Sequence, residues 1–136
     1  MLAKKINYTD YDGNPRTEEC LFFLSKSDLL EMDMSTTGGM EKLLRKIINT
    51  QDTPKLYAII KDIVMKSYGV KSDDGRRFIK NKTLSEEFSQ TEAFSELIVE
   101  LFSDPDKLAE FIRGILPQDI ASQLPSDTEV AKMLNE

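Results

Sequence analysis

Residues 12–40 read DGNPRTEECLFFLSKSDLLEMDMSTTGGM, and this stretch organises the chain. Asp12-Gly13-Asn14-Pro15 is a turn: Asp-Gly tolerates positive φ, and Pro15 cannot donate to a ladder. A strand follows over 17–24. Its start is polar, and its end, Cys20-Leu21-Phe22-Phe23-Leu24, is apolar on both faces. Such a run is covered on both sides, or covered on one and used for binding on the other. Ser25 or Ser27 then caps a short acidic helix over 28–34, with Asp28 and Glu31 near its positive end. Ser35-Thr36-Thr37-Gly38-Gly39 breaks the chain before the next helix. Upstream of the turn, residues 2–8 alternate as a strand, with Leu2, Ile6 and Tyr8 on one face and Lys4 interrupting. The two strands form an antiparallel hairpin. A lone hairpin is marginal, so helices or a second copy must pack on it.

Downstream the pattern turns helical. Residues 40–49 place Leu43, Leu44, Ile47 and Ile48 at helical spacing. Asp52-Thr53-Pro54 is a start signal for a helix over 55–68. Its core face is Leu56, Ile59, Ile60, Ile63 and Val64, widened by Tyr57 and Met65, so it is expected to be the most buried helix. Gly69 ends it. Residues 70–81 are a loop or small hairpin turning at Ser72-Asp73-Asp74-Gly75. Residues 82–103 return to helix, broken near Ser89-Gln90-Thr91, with a stripe of Phe94, Leu97, Ile98 and Leu101. Asp104-Pro105 opens a short helix over 107–113, and Leu116-Pro117 opens another segment. The expected fold is α+β and mainly helical: an N-terminal antiparallel β-hairpin followed by five or more helices. Residues 1–124 make a single domain, and 125–136 a C-terminal tail read as a frayed helix.

Composition narrows the function. The chain has 136 residues, 40% hydrophobic and 31% charged, with a formal charge of −6. An acidic chain argues against a nucleic-acid or anionic-membrane surface, which needs a basic footprint. Histidine is absent, which removes the commonest general base and metal ligand at neutral pH. The single cysteine, Cys20, excludes an internal disulfide and reads as a buried core thiol in a reducing compartment. No run approaches the ~18 apolar residues of a membrane span.

The candidate sites are weak as chemistry. The Ser35–Gly39 loop could cradle an anion but lacks the lysine and spacing of a phosphate loop. Asp10-Tyr11-Asp12-Gly13-Asn14 has its glycine too early for a calcium loop. Asp73 to Arg77 reads as a solvated turn. Glu18-Glu19 and Glu86-Glu87 have no histidine or cleft to make them acid–base pairs. No catalytic, cofactor or metal residue is expected. Met32, Met34 and Met40, clustered around one loop, are adaptable side chains of the kind that bind apolar partner segments. With Leu29, and Phe22 as aromatic anchor, they form the expected partner surface; ordinary core filling is the alternative. A second surface is the Phe94–Leu101 helix, where Val99 and Phe102 fall outside the buried stripe.

The strings INYTDYDGNPRTE, LSKSDLLEMDMSTTGG, SYGVKSDDGRRFIKN and LSEEFSQTEAFSELIVEL resemble the small tail assembly chaperones of long-tailed bacteriophages and prophages of Gram-positive bacteria. The resemblance covers residues 4–119, and its specificity lies in order and spacing. It implies a protein that acts in the host bacterial cytoplasm and is absent from the mature virion. It implies binding to the helical tape-measure protein, which it keeps soluble, and recruitment of tail-tube protein. Many relatives are read in two lengths by a ribosomal frameshift. The competing readings are a structural virion component such as a head–tail connector or tail-terminator subunit, a small enzyme, and a regulator of host defence. Self-association through the hairpin is expected from the apolar strand end.

Overall fold

The computed structural model describes residues 1–32, 45–47, 49 and 52–122. Strands β1 (Leu2–Thr9) and β2 (Pro15–Phe22) pair antiparallel from Leu2 opposite Phe22 to Thr9 opposite Pro15. Gly13 takes φ +85° in the turn. Asp10 ties the turn together: its Oδ1 accepts the amides of Asp12 and Asn14 at 3.0 and 2.9 Å, and Arg16 Nε donates to Oδ2 at 2.6 Å. The Arg16 bond, with those amides, holds the Asp10 carboxyl below its usual range.

The second strand stops two residues short of the expected Leu24. Phe23 N donates to Ser67 O at 2.8 Å and Leu24 N to Ile115 O at 2.7 Å, so both backbones leave β1. Helix α1 (Lys26–Glu31) begins earlier than expected, because Ser25 closes a capping box with Asp28. Ser25 Oγ accepts Asp28 N at 3.1 Å, and Asp28 Oδ2 accepts Ser25 N at 2.8 Å, satisfying two orphan amides reciprocally. Residues 45–47 and 49 are helical and Ile47 is buried. The Ser35–Gly39 loop and the rest of the expected 40–49 helix lie outside the described residues.

Helix α2 (Thr53–Ser67) starts on the expected signal, with Asp52 capping Lys55 N and Pro54 in the first turn. Tyr68, expected to close this helix, instead opens strand β3 (Tyr68–Lys71). Tyr68 and Gly69 pair with Phe22 and Leu21, and β3 then pairs with β4 (Phe78–Ile79) around a turn with Gly75 at φ +74°. The two-stranded sheet thus becomes a four-stranded one in the order β1-β2-β3-β4. Gly69 is needed here, because a Cβ would lie 2.7 Å from the Phe78 ring.

The expected break in the 82–103 helix is real. Asn81 caps α3 (Lys82–Ser89) and Thr91 caps α4 (Glu92–Ser103). Asp104 is the C-cap of α4 and the N-cap of α5 (Pro105–Gly114), its side chain accepting Asp106 N at 2.9 Å. Helix α6 (Gln118–Ala121) follows.

Helix α4 is the central helix, correcting the expectation for residues 55–68. It buries Ala93, Phe94, Leu97, Ile98 and Leu101 within twelve residues, while the fifteen of α2 bury Ile60, Ile63, Val64 and Ser67. The reason is position: α4 packs on β1 and on α5, and Lys4 Nζ reaches Glu100 Oε1 at 3.0 Å.

The core is aromatic. Phe22 meets Tyr68, Phe88 and Phe111 edge-on, with centroids 5.8, 5.9 and 5.2 Å away. Tyr68 stacks on Phe88 at 4.2 Å, and Phe94 closes on Phe88 at 5.7 Å. Five elements therefore meet at one buried ring cluster, in the offset and edge-on geometries such rings prefer.

Candidate functional site

Helices α2 and α4 leave an apolar groove between the start of one and the end of the other. Thr53, Pro54 and Tyr57 form one wall, and Ile98, Val99 and Phe102 the other, around about 430 Å³. Each wall follows from local sequence. Pro54 sits in the first turn of α2, where its missing amide costs nothing, and Tyr57 stands one helical turn on. On α4 the stripe Phe94-Leu97-Ile98-Leu101 turns inward, which leaves Val99 outward. Val99 is 61% exposed and Tyr57 37%. The Tyr57 and Phe102 rings lie 6.1 Å apart, tilted by 32°. Lys61 Nζ stands 5.9 Å from the centroids of both Tyr57 and Phe94, so a cation lies over the ring that forms one wall of the groove. Chemically the groove can hold an apolar side-chain row and little else.

A second cavity, of about 490 Å³, lies between α1, the end of α2 and the start of α3 and includes Leu24, Asp28, Met32, Met65, Lys80 and Ser85. Its charges serve the fold. Lys80 Nζ donates to Asp28 Oδ2 at 2.6 Å, to Phe23 O at 3.1 Å and to Lys66 O at 3.2 Å. Burial alone would raise the Asp28 pKa, but the bonds from Lys80 and Ser25 outweigh it and hold the carboxyl below its usual range.

The expected partner residues separate into three groups. Phe22 and Leu29 are fully buried, so neither presents surface in this arrangement. Met32 packs against the core from the edge of the Lys80 cavity and keeps partial exposure. Met34 and Met40 lie outside the described residues. The second expected surface fares differently. Val99 and Phe102 line one groove, together with Tyr57 and Pro54, which sequence reading left on another helix. Sequence reading placed Tyr57 on the widened core face, and the structure leaves it at the margin of that face, 37% exposed.

The remaining polar motifs are occupied locally. Glu18 Oε1 accepts the Tyr8 hydroxyl at 2.6 Å, and that bond is the main cause that pushes the Tyr8 pKa up to about 12. Burial pushes the Cys20 thiol up to about 11, so it is an inert core thiol at neutral pH. Asp74 accepts Arg76 N and the Ser72 hydroxyl within its own turn. Among the described residues no cluster of His, Cys, Asp and Glu is placed to hold a metal ion, and no helix is long and apolar enough to cross a membrane.

Residues 1–135 match a family model described as phage tail assembly chaperone. The match runs beyond the 4–119 span of the sequence resemblance and includes most of the C-terminal tail. No curated protein and no solved structure matches the chain.

Proposed function

The chain belongs to the phage tail assembly chaperone family, and on that premise we propose that it binds amphipathic helical segments of the tape-measure protein in the α2–α4 groove. The observation that carries this reading is the pairing of Tyr57 and Val99. Of the large exposed apolar side chains among the described residues, Met1, Tyr11, Leu30 and Val70 belong to other elements, whereas these two line one groove with Phe102. An apolar helix face docks by presenting side chains at i, i+3, i+4 and i+7 to such a groove. A single groove this small gives weak binding, and many copies along one long client supply avidity. Met32, in the cavity by the far end of α2, is a separate adaptable surface.

In this reading the protein serves long-tailed phages of Gram-positive bacteria, works in the host cytoplasm, helps recruit tail-tube subunits and leaves before the particle is finished. The family is one of chaperones, not of enzymes, and its chemistry is reversible apolar contact.

Co-expression with the tape-measure protein is the test. The wild-type chain keeps the client in the supernatant. A Tyr57→Ser, Val99→Asp variant with a native circular dichroism spectrum lets it aggregate. Client that stays soluble with this variant overturns the groove, and loss of solubility on Met32→Asp alone moves the site to the methionine surface. Mass spectrometry of purified particles separates a chaperone, which is missing, from a connector or terminator subunit, which is present at stoichiometric copy number.

A further inference from the structure

We propose that the groove between α2 and α4 selects acidic amphipathic helices, with a guest carboxylate one helical turn beyond the apolar row held by Lys61. This rests on the groove reading above and adds the guest's charge.

The six residues that line the groove carry no charge. Tyr57 lies beside Phe102, and Lys61 reaches Phe94, so α2 and α4 run antiparallel along the groove. One helical turn past Tyr57 on α2 stands Lys61. One turn before Val99 on α4 stands Ser95, which is exposed. Lys61 is therefore the first charge on the groove side beyond the apolar row.

Lys61 has no acid of its own, because the carboxylates of both helices are engaged elsewhere or face another side. Asp62 pairs with Lys66 at 3.0 Å, and Glu100 with Lys4 at 3.0 Å. Glu92 accepts the Tyr11 hydroxyl at 2.9 Å. Glu96 lines a shallow cavity with Tyr8 and Thr17, on the hairpin side of α4. Among the described residues no ion pair or hydrogen bond reaches Lys61 Nζ. Its contacts are the two ring faces, each at 5.9 Å, close to the limit of about 6 Å for a cation over a ring. The rings steer the ammonium without satisfying its N–H donors.

A helix laid along the groove covers this half-buried lysine and takes water from those donors. An apolar guest residue above it leaves them without an acceptor, and a basic one adds repulsion. A carboxylate supplies acceptor and countercharge together, in a drier place than open surface. The spacing agrees: an acid one turn past an apolar row stays on the same stripe of the guest helix. The chain's charge of −6 opposes acidic guests at long range. Salt screens that field beyond about 8 Å, and the contact with Lys61 is closer than that.

Fluorescence anisotropy with synthetic helices tests this. The probe is an alanine-based peptide of about 20 residues with leucines at i, i+3, i+4 and i+7. Glu, Gln or Lys is placed one helical turn outside the leucine row at both ends, so that the readout does not depend on the guest's direction. The wild-type chain is expected to bind Glu most tightly, then Gln, then Lys, with about fivefold between first and last. Lys61→Met keeps the stem and is expected to level the three affinities, and Lys61→Glu to reverse their order. Equal affinities in the wild type overturn the proposal and leave the groove standing. So does an order that persists in folded Lys61→Met. If no peptide binds, or if the Tyr57→Ser, Val99→Asp variant binds them as well as wild type does, the groove reading fails and this proposal with it. Should the Lys61 variants fail to fold, amide NMR of the wild-type chain decides. Shifts at both Tyr57 and Lys61 on adding the Glu peptide support the contact, and shifts that leave Lys61 unmoved refute it.

Discussion

The Phe22 cluster and the Tyr57–Phe102 groove are both built from aromatic rings about one van der Waals layer apart, yet one is core and the other surface. Centroid distances overlap in kind, 5.2 Å between Phe22 and Phe111 against 6.1 Å between Tyr57 and Phe102. The difference is what closes the outer side. Around Phe22, two strands and three helices converge, and the ring is wholly buried. Around Tyr57 two helices meet among the described residues, and Val99 is exposed. Ring contact alone does not tell a core from a docking site; the number of backbone elements behind the rings does.

The contrast can be broken from the core side first. Phe22→Ala leaves a void where five elements meet, and should cost about 3–5 kcal/mol of unfolding free energy in a denaturant titration. A loss under about 1 kcal/mol would mean that the cluster repacks as easily as a surface.

A middle case sharpens the boundary. Asp28 and Lys80 join α1 to the chain two residues before α3, with side chains 29% and 22% exposed. Asp28→Asn should cost about 1–2 kcal/mol at neutral pH, less than a fully buried pair because water screens this one. The folded carboxyl titrates below its unfolded value. Its contribution is therefore complete above the unfolded pKa of about 3.9 and is lost as pH falls through the folded pKa. Melting temperature followed from pH 6 into the acid limb should fall less steeply in Asp28→Asn than in wild type. Equal slopes would show that Lys80 does not hold the carboxylate.

The smallest effect belongs to the groove. Val99→Asp should change stability by no more than about 0.5 kcal/mol while impairing client binding. A loss comparable to that of Phe22→Ala would make the groove part of the core.

Much of this was legible in the sequence because it is local. Asp-Gly before Pro15, the Asp52 and Asp104 caps, the break at Gln90-Thr91 and the α4 stripe are all written within a few residues of where they act. The small hairpin turning at Gly75 was legible as one of two readings of 70–81, but that its first strand begins at Tyr68 and joins β2 was not. Tyr68 follows α2 without a turn, and its extended state rests on pairing with Phe22 and Leu21, far away in the chain. The same cause misled the reading of Phe22 and Leu29. A strand apolar on both faces looks available until the helices that cover it are placed, and that placement is tertiary. For the groove, sequence marked Val99 and Phe102 as surplus to the stripe, but not that Tyr57 and Pro54 stand across from them.

Asp104 ends α4 and starts α5 with no residue between, and its backbone and side chain are both engaged in the two caps. Mechanically the joint has no slack. The α4 wall of the groove cannot swing away from the body of the protein without tearing a helix end. Any widening must come from the α2 wall or from rotation of Tyr57 itself. On the proposed reading, selectivity among guests is then set on the α2 side, by how far Tyr57 and its helix yield to side-chain bulk.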